Sequence, residues 1–549
     1  MRIAWIPDQY QDMVSLQHVF VTAERLLKSR HEIVRLPVGY YQTMKSRAAI
    51  AEEIVRGCDV IMGLPDAGLL QARERVGKPV PFAYFLLGMM PRGAFQMNQL
   101  VKHLKTTDVL VANCEADREI AGNFFANAQT RVLPFACDES AFYPMDEADR
   151  QAVRAEFGLG PDDKVLVYSG RMTLEKNLHT LLKVFSVVQG QVSNVHLVLA
   201  GEALNVPFDE FGLYPVNLTR TLHKLVSKLA IPEGRVHFLG RLSSERLHQL
   251  YNVADVMVNM TLHHDENFGY AQVEAMACGT PVVGTNWGGL KDTILDGEVG
   301  RRVSTYMTPS GVKVSWWEAV NAIVSLLRND RGRKEMRGRC RSHVLENYSL
   351  GRYEERLESL LAECQAAKSR PAQPLKLSRF GREFWCLCAP WIDDQPPYLR
   401  GERAYQMYMD LITPYTGAAP GAMPLQESPS PSHVLSLAAP VVESEDGTLS
   451  VNDPLYPFDL SVPEHLRAGV RAALQVMDTQ PVIKAERLTA AQLGIDVKGA
   501  LAWMLAEGLI LMTAPERCCV EPSAAGRHAA RPLFSIQSVS HTTDVVITR

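Results

Sequence analysis

Two cations on one predicted loop are the first residues of this sequence that could do chemistry. The apolar run 164–169 leads into Gly170, and Arg171 and Lys176 follow it closely. A glycine at the end of a parallel strand lets the backbone turn toward the crevice where α/β folds bind ligands. The fork of an arginine and the mobile charge of a lysine suit a diphosphate. The loop therefore indicates a diphosphate site, although two solvated charges would be the simpler explanation if it stood alone.

Two glutamates further along the chain, Glu266 and Glu274, are separated by seven residues. The pattern places Glu266 on the loop after a strand at 255–259. It places Glu274 in the first turns of a helix that begins near Gly269 and ends before Gly279. The N-terminus of a helix offers free N–H groups and partial positive charge to an anion. Carboxylates that flank such a site predict a ligand with hydroxyl groups on both sides of a diphosphate, which is a nucleotide sugar.

Parallel sheets are the elements that would position these residues. The first 366 residues alternate short apolar runs with amphipathic stretches. Many of the runs, such as VLVYS and VHLVLA, are continuous rather than alternating, which indicates strands covered by helices on both faces. The runs form two series, which the polar stretch 145–163 separates. We therefore predict two doubly wound, Rossmann-like α/β domains, at residues 1–150 and 151–366.

The character of the sequence changes after residue 366. Residues 367–455 are interpreted as an extended or linker region, because the stretch 417–432 is rich in glycine, proline and serine. The aromatic part of this region, 380–416, is expected to be ordered. Residues 456–520 show the pattern of a helix, a short helix, a helix and a strand, which resembles a winged-helix module. Residues 521–549 are expected to form a loose tail.

The charge balance argues against nucleic acid as the partner of the C-terminal module. Acidic residues slightly outnumber basic ones between residues 456 and 517, and the whole chain has 57 Lys and Arg against 61 Asp and Glu. A nucleic-acid backbone selects for a clear excess of positive charge. We therefore expect a protein partner or self-association through this module, and a transcription factor is disfavoured.

The sequence carries no signal for export, for a membrane span or for a zinc site. Its N-terminal residues lack the pattern of a signal peptide, and no apolar run approaches the ~20 residues of a membrane-spanning helix. The 10 cysteines include no CxxC pair, so reduced thiols are expected. We expect a cytoplasmic protein, and contact with a membrane surface is left open.

The segment from residue 108 to about residue 366 resembles the retaining glycosyltransferases of family 4, which have the GT-B fold. The stretches that carry the resemblance include VLVYSGRMTLEKNLHTLL, VHFLGRLSSERLHQLYNVADV and ENFGYAQVEAMACGTPVVGTNWGGLKDTILDGEVG. The spacing from Glu266 to Glu274 is that family's signature. The resemblance implies a GT-B enzyme that transfers a sugar from a nucleotide-sugar donor and retains the anomeric configuration. The acceptor stays open between a glycan, a small molecule, a lipid and a protein.

The resemblance also implies a role for each residue of the site. Arg171 and Lys176 would hold the diphosphate and stabilise it as a leaving group, while Glu266 would contact the transferred sugar. Glu274 would accept hydrogen bonds from the ribose, so the affinity for free nucleotide should depend on Glu274 and hardly on Glu266. Arg241 would border the base. The other residues implied in donor binding are Gly170, Asn267, Phe268, Gly269, Tyr270, Gly288 and Gly289.

The sequence has no Asp-x-Asp motif, with which metal-dependent transferases commonly hold a divalent ion on the diphosphate. Since Arg171 and Lys176 would take that role, we predict that neither a metal nor a cofactor is required.

The general base is left open, because the first half of the chain departs from the family pattern. Many members have a Gly-Gly loop after the first strand and a histidine after the fourth, where this chain has Asp12–Ser15 and Gly88–Met90. Asp292 stands where the family usually has glutamate. The histidines are interpreted as solvated or surface residues and the two aspartates as weak candidates for the base; these residues are His103, His263, His264, Asp8 and Asp12. The departures leave open a second class, a non-catalytic nucleotide-sugar sensor that signals through the C-terminal module.

Overall fold

The computed structural model describes residues 1–6, 14–35, 44–64, 66–87, 101–203, 217–264, 266–388, 402–444, 446–453, 458–490 and 497–522. The predictions made for Asp8, Asp12, the stretch 88–90 and the tail beyond residue 522 lie outside the described residues.

The first α/β domain is built on six parallel strands. They are β1 Arg2–Ile6, β2 Glu32–Arg35, β3 Val60–Gly63, β4 Phe82–Phe85, β5 Val109–Ala112 and β6 Gln129–Val132. Their order in the sheet is β2-β1-β3-β4-β5-β6. The helices described in this domain are α1 Val14–Lys28, α2 Met44–Gly57, α3 Ala67–Val76 and α4 Glu115–Phe124. The apolar strands β3, β4 and β5 are buried along their whole length, as expected of strands covered on both faces.

The second α/β domain also has six parallel strands. They are β7 Lys164–Ser169, β8 Val195–Ala200, β9 Val236–Gly240, β10 Val256–Asn259, β11 Val282–Thr285 and β12 Gly300–Val303. Helix α5 Glu147–Glu156 precedes β7. The helices between the strands are α6 Leu178–Val188, α7 Leu218–Lys228, α8 Ser244–Val253, α9 Tyr270–Ala277 and α10 Leu290–Thr293.

The strand order of the second sheet, β12-β11-β10-β7-β8-β9, creates the crevice that the candidate site needs. The chain runs from β7 outward through β8 to β9 and then returns to the other side of β7 at β10. The loops that follow β7 and β10 therefore leave the sheet side by side, at a topological switch point where α/β folds bind ligands. This reversal brings the loop of Gly170 next to the loop of Glu266.

Three long helices and a hairpin complete the two α/β domains. The hairpin pairs β13 Thr305–Thr308 with β14 Gly311–Val314. The helices are α11 Trp316–Arg328, α12 Asp330–Asn347 and α13 Leu350–Ala367. The last of them, α13, packs on α1, β3 and β4 and so belongs spatially to the first domain. Its ion pairs confirm this placement, because Glu358 contacts His31 at 2.9 Å and Glu363 contacts Arg131 at 2.8 Å.

The C-terminal module has two small antiparallel sheets and three helices among its described residues. The strands are β15 Val434–Leu437, β16 Val441–Glu443, β17 Thr448–Val451, β18 Phe458–Ser461, β19 Val482–Lys484 and β20 Ile510–Thr513. The helices of the module are α16 Arg467–Thr479, α17 Ala485–Ala490 and α18 Val497–Ala506. Two further helices, α14 Arg379–Cys388 and α15 Glu402–Ile412, precede the module in the chain. The sheets have the orders β19-β15-β20 and β16-β17-β18, and the module has a hydrophobic core of its own.

The module therefore begins well before residue 456, where the sequence pattern placed its start. Strand β15 lies in the middle of the β19-β15-β20 sheet, and its residues Leu435 and Leu437 are part of the module's core. The interpretation of 367–455 as an extended or linker region was wrong for this strand, because four residues among prolines and serines are too short to give a periodic pattern. The predicted helix, short helix, helix and strand are present in the described residues as α16, α17, α18 and β20, but the strand β19 lies between α16 and α17, which the sequence pattern did not predict.

The aromatic stretch 380–416 is ordered where it is described. The Phe384 ring of α14 packs edge-on against Phe124 of α4, with ring centroids 5.9 Å apart. Along the described part of the chain, no helix combines the length and the apolar character that a bilayer span requires.

Candidate active site

Glycines form the edge of the second sheet where the candidate site lies. Gly170 follows β7 with a φ of 145°, and Gly201 follows β8 with a φ of 139°. A Cβ atom on Gly201 would lie 1.9 Å from the Gly170 carbonyl oxygen, so no side chain fits between the two strand ends. The backbone at this edge is therefore closely packed and presents no side chain of its own, and the next charged group along the chain is Arg171.

The two predicted cations follow Gly170 on one loop. Arg171 is exposed, and its carbonyl oxygen accepts a hydrogen bond from the Tyr168 hydroxyl at 2.7 Å. Lys176 ends a short 3₁₀ turn, Leu174–Lys176, after which Asn177 adopts a left-handed conformation and α6 begins. The Lys176 ammonium contacts the Glu266 carboxylate at 2.5 Å, and each side chain is 12% exposed. The structure thus joins two residues that are 90 positions apart and that the sequence predicted only to lie beside the same ligand.

The glycine pair Gly288-Gly289 supports the backbone of Glu266. The Gly289 N–H donates to the Glu266 carbonyl oxygen at 2.7 Å. A Cβ atom on Gly288 would lie 2.4 Å from that same oxygen, and one on Gly289 would lie 2.2 Å from the Asn267 carbonyl carbon. The absence of side chains at both positions is therefore required by the packing of the Glu266 loop. Gly289 also begins the short helix α10.

Glu274 lies on α9 and reaches the end of β7. The Tyr251 hydroxyl is 3.1 Å from Glu274 Oε2 and 3.0 Å from the hydroxyl of Ser169, the last residue of β7. Burial raises the pKa of Glu274 to about 7, and the hydrogen bond from Tyr251 opposes that shift. Glu274 is therefore poised to change charge near neutral pH at the position where the resemblance expects the ribose.

The loop 267–270 faces the first domain with its side chains. The Asn267 side-chain amide donates to the Asn113 side-chain oxygen at 3.2 Å. The rings of Phe268 and Tyr270 both contact Phe135, with centroids 5.6 Å apart in each case. Gly269 is the N-cap residue of α9 and adopts a left-handed conformation. The N-terminus of α9 thus follows directly on the loop of Glu266, and helix N-termini attract anions.

The described contacts do not connect Arg241 to the other predicted donor residues. It is exposed and follows β9, which lies two strands away from β7. Its assignment to the base stays a prediction.

The histidines differ from what their sequence positions indicated. His263 and His264 are 2% and 0% exposed and their rings stack with centroids 5.3 Å apart, so the expectation that they are solvated was wrong. Their loop is tucked under Trp287, whose indole N–H donates to the His263 carbonyl oxygen at 2.7 Å. His103 is also buried, and its ring lies 3.0 Å from the Glu74 carboxylate in the first domain. None of these contacts identifies the general base.

Sequence reasoning missed four residues at this site. Asn113 and Tyr251 hold Asn267 and Glu274, as described above. Asp117 of α4 and Tyr415, which follows α15, form a buried hydrogen bond between the first domain and the segment beyond α15. Asp292, which was noted as a departure, accepts from the Glu115 N–H at 2.8 Å, across the boundary between the α/β domains. The many aromatic residues in 380–416 indicated that the stretch around Tyr415 is ordered, but they did not predict that Tyr415 contacts Asp117.

Comparison with known proteins identifies the class of the second α/β domain. Residues 149–342 match the family model of glycosyl transferases group 1. This match supports the group 1 glycosyl transferase family, and it covers the loops of Lys176 and Glu266 but neither Asp117 nor Tyr415.

Curated relatives are similar over the same part of the chain. D-inositol 3-phosphate glycosyltransferase of Mycobacteroides abscessus (strain ATCC 19977) is 31% identical over 219 residues, which are 40% of this chain and 44% of that protein. Mannosylfructose-phosphate synthase of Agrobacterium fabrum (strain C58) is 28% identical over 204 residues, which are 36% of this chain and 42% of that protein. The chain thus spans less than half the length of these two relatives.

Solved structures are similar over both α/β domains. Anabaena Alr3699/HepE in complex with UDP aligns with a TM-score of 0.51 and 18% identity, over 66% of this chain and 100% of that chain. A glycosyltransferase from Rickettsia africae aligns with a TM-score of 0.50 and 14% identity, over 66% of this chain and 98% of that chain. These likenesses confirm the predicted pair of parallel-sheet α/β domains of GT-B type.

Proposed function

We propose that this chain is a retaining glycosyltransferase that transfers a sugar from a nucleoside diphosphate sugar and needs neither a metal nor a cofactor. The observation that carries the proposal is the meeting of Lys176 and Glu266 at 2.5 Å, at the switch point of the second sheet. Glu274 ends beside β7 at the same edge. The same sheet edge thus carries a cation that suits a diphosphate and two carboxylates that suit hydroxyl groups, which supports a nucleotide sugar as the ligand.

The chemistry follows from where charge develops. When the bond between the anomeric carbon and the diphosphate oxygen breaks, negative charge grows on the diphosphate. Arg171, Lys176 and the N-terminus of α9 would stabilise that charge, and fixed cations are most effective when they are in place before the reaction. Glu266 would orient the sugar through its hydroxyl groups while the acceptor oxygen bonds to the anomeric carbon on the face that the diphosphate leaves. The proton of the acceptor hydroxyl would pass to the departing diphosphate oxygen.

Binding of the donor requires Lys176 to change partners. In the structure its ammonium is held by Glu266, so an incoming diphosphate would compete with that carboxylate for the same charge. Glu266 would in turn be released toward the sugar hydroxyls. The exchange keeps both groups hydrogen-bonded before and after binding, which avoids the cost of an unpaired charge.

The partner on the acceptor side is proposed as a class, a hydroxyl compound, with a glycan, a small molecule, a lipid and a protein as the alternatives. The related names support the reaction type only, since two relatives are named a glycosyltransferase and a synthase. The C-terminal module is proposed to bind a protein or a second copy of the chain, and no nucleic acid.

The test is a donor screen with purified protein in EDTA. UDP is the first nucleotide to try, because the neighbour Alr3699/HepE is in complex with UDP. UDP-, GDP- and ADP-sugars are incubated with the protein, and released nucleotide and the anomeric configuration of the released or transferred sugar are measured. We expect slow release in EDTA with retention. Release that needs Mn²⁺ or Mg²⁺ would contradict metal independence, and binding without any release would favour the non-catalytic sensor.

A further inference from the structure

A short segment beyond the matched domain lies against the loops of the candidate site. We name residues 413–419 the Tyr415 strap. Its backbone is fixed to the second α/β domain, because the Gly417 carbonyl oxygen accepts from the Thr305 N–H at 3.0 Å and the Ala418 carbonyl oxygen accepts from the Asn286 side chain at 3.0 Å. The Lys291 ammonium donates to the Pro414 carbonyl oxygen. The strap is therefore held at several points of its length and cannot be a loose linker.

The buried Tyr415 side chain packs against Gly288, next to the backbone of Glu266. Tyr415 is 0% exposed, and its carbonyl oxygen accepts from the Gly288 N–H at 2.9 Å. A Cβ atom on Gly288 would lie 2.7 Å from the Tyr415 ring and 2.4 Å from the Glu266 carbonyl oxygen. Gly288 is thus enclosed between the ring and the Glu266 backbone. Gly288 has no side chain that would absorb a displacement of the ring.

The hydroxyl end of Tyr415 contacts the first domain. It donates to the carboxylate of Asp117, which is 0% exposed in α4. Burial raises the pKa of Asp117 to about 6. Hydrogen bonds from Tyr415 and with Cys114 oppose this shift, and the nearby Asp292 carboxylate adds to it. At neutral pH the hydroxyl therefore donates to a charged acceptor, which makes this one of the stronger hydrogen bonds between the strap and the first domain.

We infer that Tyr415 is a positioning residue that sets the place of Glu266 and ties it to the first α/β domain. This inference rests on the proposed function of the same site. The ring fixes the Glu266 loop, and the hydroxyl makes that position depend on where the first domain stands. Tyr415 lies outside residues 149–342, so the matched family model does not include this contact. The resemblance implies that the first domain carries the acceptor side and the second domain the donor side, so sugar transfer would need both domains in register.

The test is a comparison of Tyr415→Phe with Tyr306→Phe in the full-length protein. Each change removes one tyrosine hydroxyl that donates a hydrogen bond, but the Tyr306 hydroxyl donates to the Met423 carbonyl oxygen at 3.0 Å, and its described hydrogen bond is not with the first domain. We expect Tyr415→Phe to bind nucleotide as the wild type does and to lower kcat by about tenfold at saturating donor, as expected for a small misplacement of a reacting group. The control variant should keep both values.

The pH profile separates positioning from a loss of stability. In the wild type, kcat should fall below about pH 6, where Asp117 gains a proton and ceases to be a charged acceptor. Tyr415→Phe and Asp117→Asn should both lack this acid limb, because neither retains the charged contact. Wild-type kcat together with a wild-type acid limb in Tyr415→Phe would overturn the inference.

Hydrogen exchange keeps the inference testable if no donor is turned over. The amide of Gly289 donates to Glu266 and reports the loop directly. We expect faster exchange at Gly288 and Gly289 in Tyr415→Leu, which removes the ring and the hydroxyl, with unchanged exchange in Tyr306→Phe. Faster exchange in a protein that transfers no sugar would support the positioning role of Tyr415 and contradict the proposed function. Unchanged exchange in Tyr415→Leu would contradict the positioning role.

Discussion

Two polar pairs near the boundary of the α/β domains differ in burial and in what they join. Lys176 and Glu266 join two loops of the second domain, and each side chain is 12% exposed. Tyr415 and Asp117 join the strap to the first domain, and both are 0% exposed. An accessible pair exchanges partners readily because water or a ligand replaces the lost contact. A fully buried pair does not, since separating it leaves an unpaired polar group. The Lys176–Glu266 pair is therefore suited to bind and release a ligand, and the Tyr415–Asp117 pair is suited to hold the strap on the first domain.

The same contrast explains why we assign an exchange of partners to Lys176 but not to Asp117. Lys176 is only partly buried, so a diphosphate that enters the crevice would offer it a second anion. Nothing of that size reaches Asp117, whose carboxylate is enclosed by Tyr415 and Cys114. Substitutions at the accessible pair should therefore change binding and chemistry, while substitutions at the buried pair should change the relation between the domains.

The largest effect is expected from the cation of the accessible pair. Lys176→Ala should lower turnover by about 10²–10³, as expected for loss of a stabiliser of developing charge. Folding should change little, because the 3₁₀ turn that carries Lys176 is held by backbone hydrogen bonds. Steady-state kinetics at saturating donor measure the loss, with Lys228→Ala on the exposed face of α7 as the control. Near-normal turnover in Lys176→Ala would remove this residue from the catalytic set.

The next effect concerns Glu274, which is held by Tyr251 and belongs to neither pair. Glu274→Gln should weaken free UDP and GDP alike by ~1.5–3 kcal/mol, the range for a hydrogen bond to a charged group. In the wild type, nucleotide affinity should rise as pH increases through about 7, because deprotonation creates the charged acceptor. Calorimetry at several pH values compares the two proteins, and the nucleotide's own ionisation cancels in the comparison. A parallel rise in the glutamine variant would contradict the assignment to Glu274.

A smaller effect sharpens the comparison directly, and it departs from what the resemblance implies. The roles carried over from the family leave free nucleotide affinity independent of Glu266. The ion pair changes this expectation, because Glu266→Gln frees Lys176 for the diphosphate. Free UDP should bind more tightly by ~0.2–1 kcal/mol, the range of an accessible ion pair, while turnover falls. In a Lys176→Ala background the same change should have no effect on nucleotide affinity, which completes a double-mutant cycle. Equal effects in both backgrounds would show that the pair is not what competes with the ligand.

The donor side could be predicted from the sequence because short local patterns in the sequence mark its residues. A glycine after an apolar strand, a cation on the following loop and a helix start are each visible within a dozen residues, and strand order then brings Lys176 to Glu266. The pairing itself was predicted only as proximity. The carboxylate that holds Lys176 in the absence of donor depends on rotamers of both side chains, which no local pattern encodes.

The strap could not be predicted in the same way. Its residues Pro414 and Gly417 are typical of loops, and its contacts are to Asp117 and Thr305, more than 100 positions away. A turn-rich composition predicts that a segment lacks regular structure, but it does not predict that the segment is unattached. The histidines failed for a related reason, since burial of His263 and His264 depends on Trp287 folding over their loop.

The smallest effect is expected where the C-terminal module is cut from the strap. The stretch 420–432 includes the exposed residues Glu427 and Ser428, and a specific protease site placed between them leaves the strap on the first fragment. The fragments should stay associated, because Trp316 donates to the Leu437 carbonyl oxygen at 2.9 Å and Asn321 accepts from Val520 at 2.9 Å. Nucleotide affinity after cleavage should equal that of the intact chain. Size-exclusion chromatography and UDP titration of the cleaved protein check both statements. Co-elution with weakened UDP binding would mean that continuity of the chain beyond residue 419 holds the strap in place, and separation of the fragments would mean that the module is tethered rather than docked.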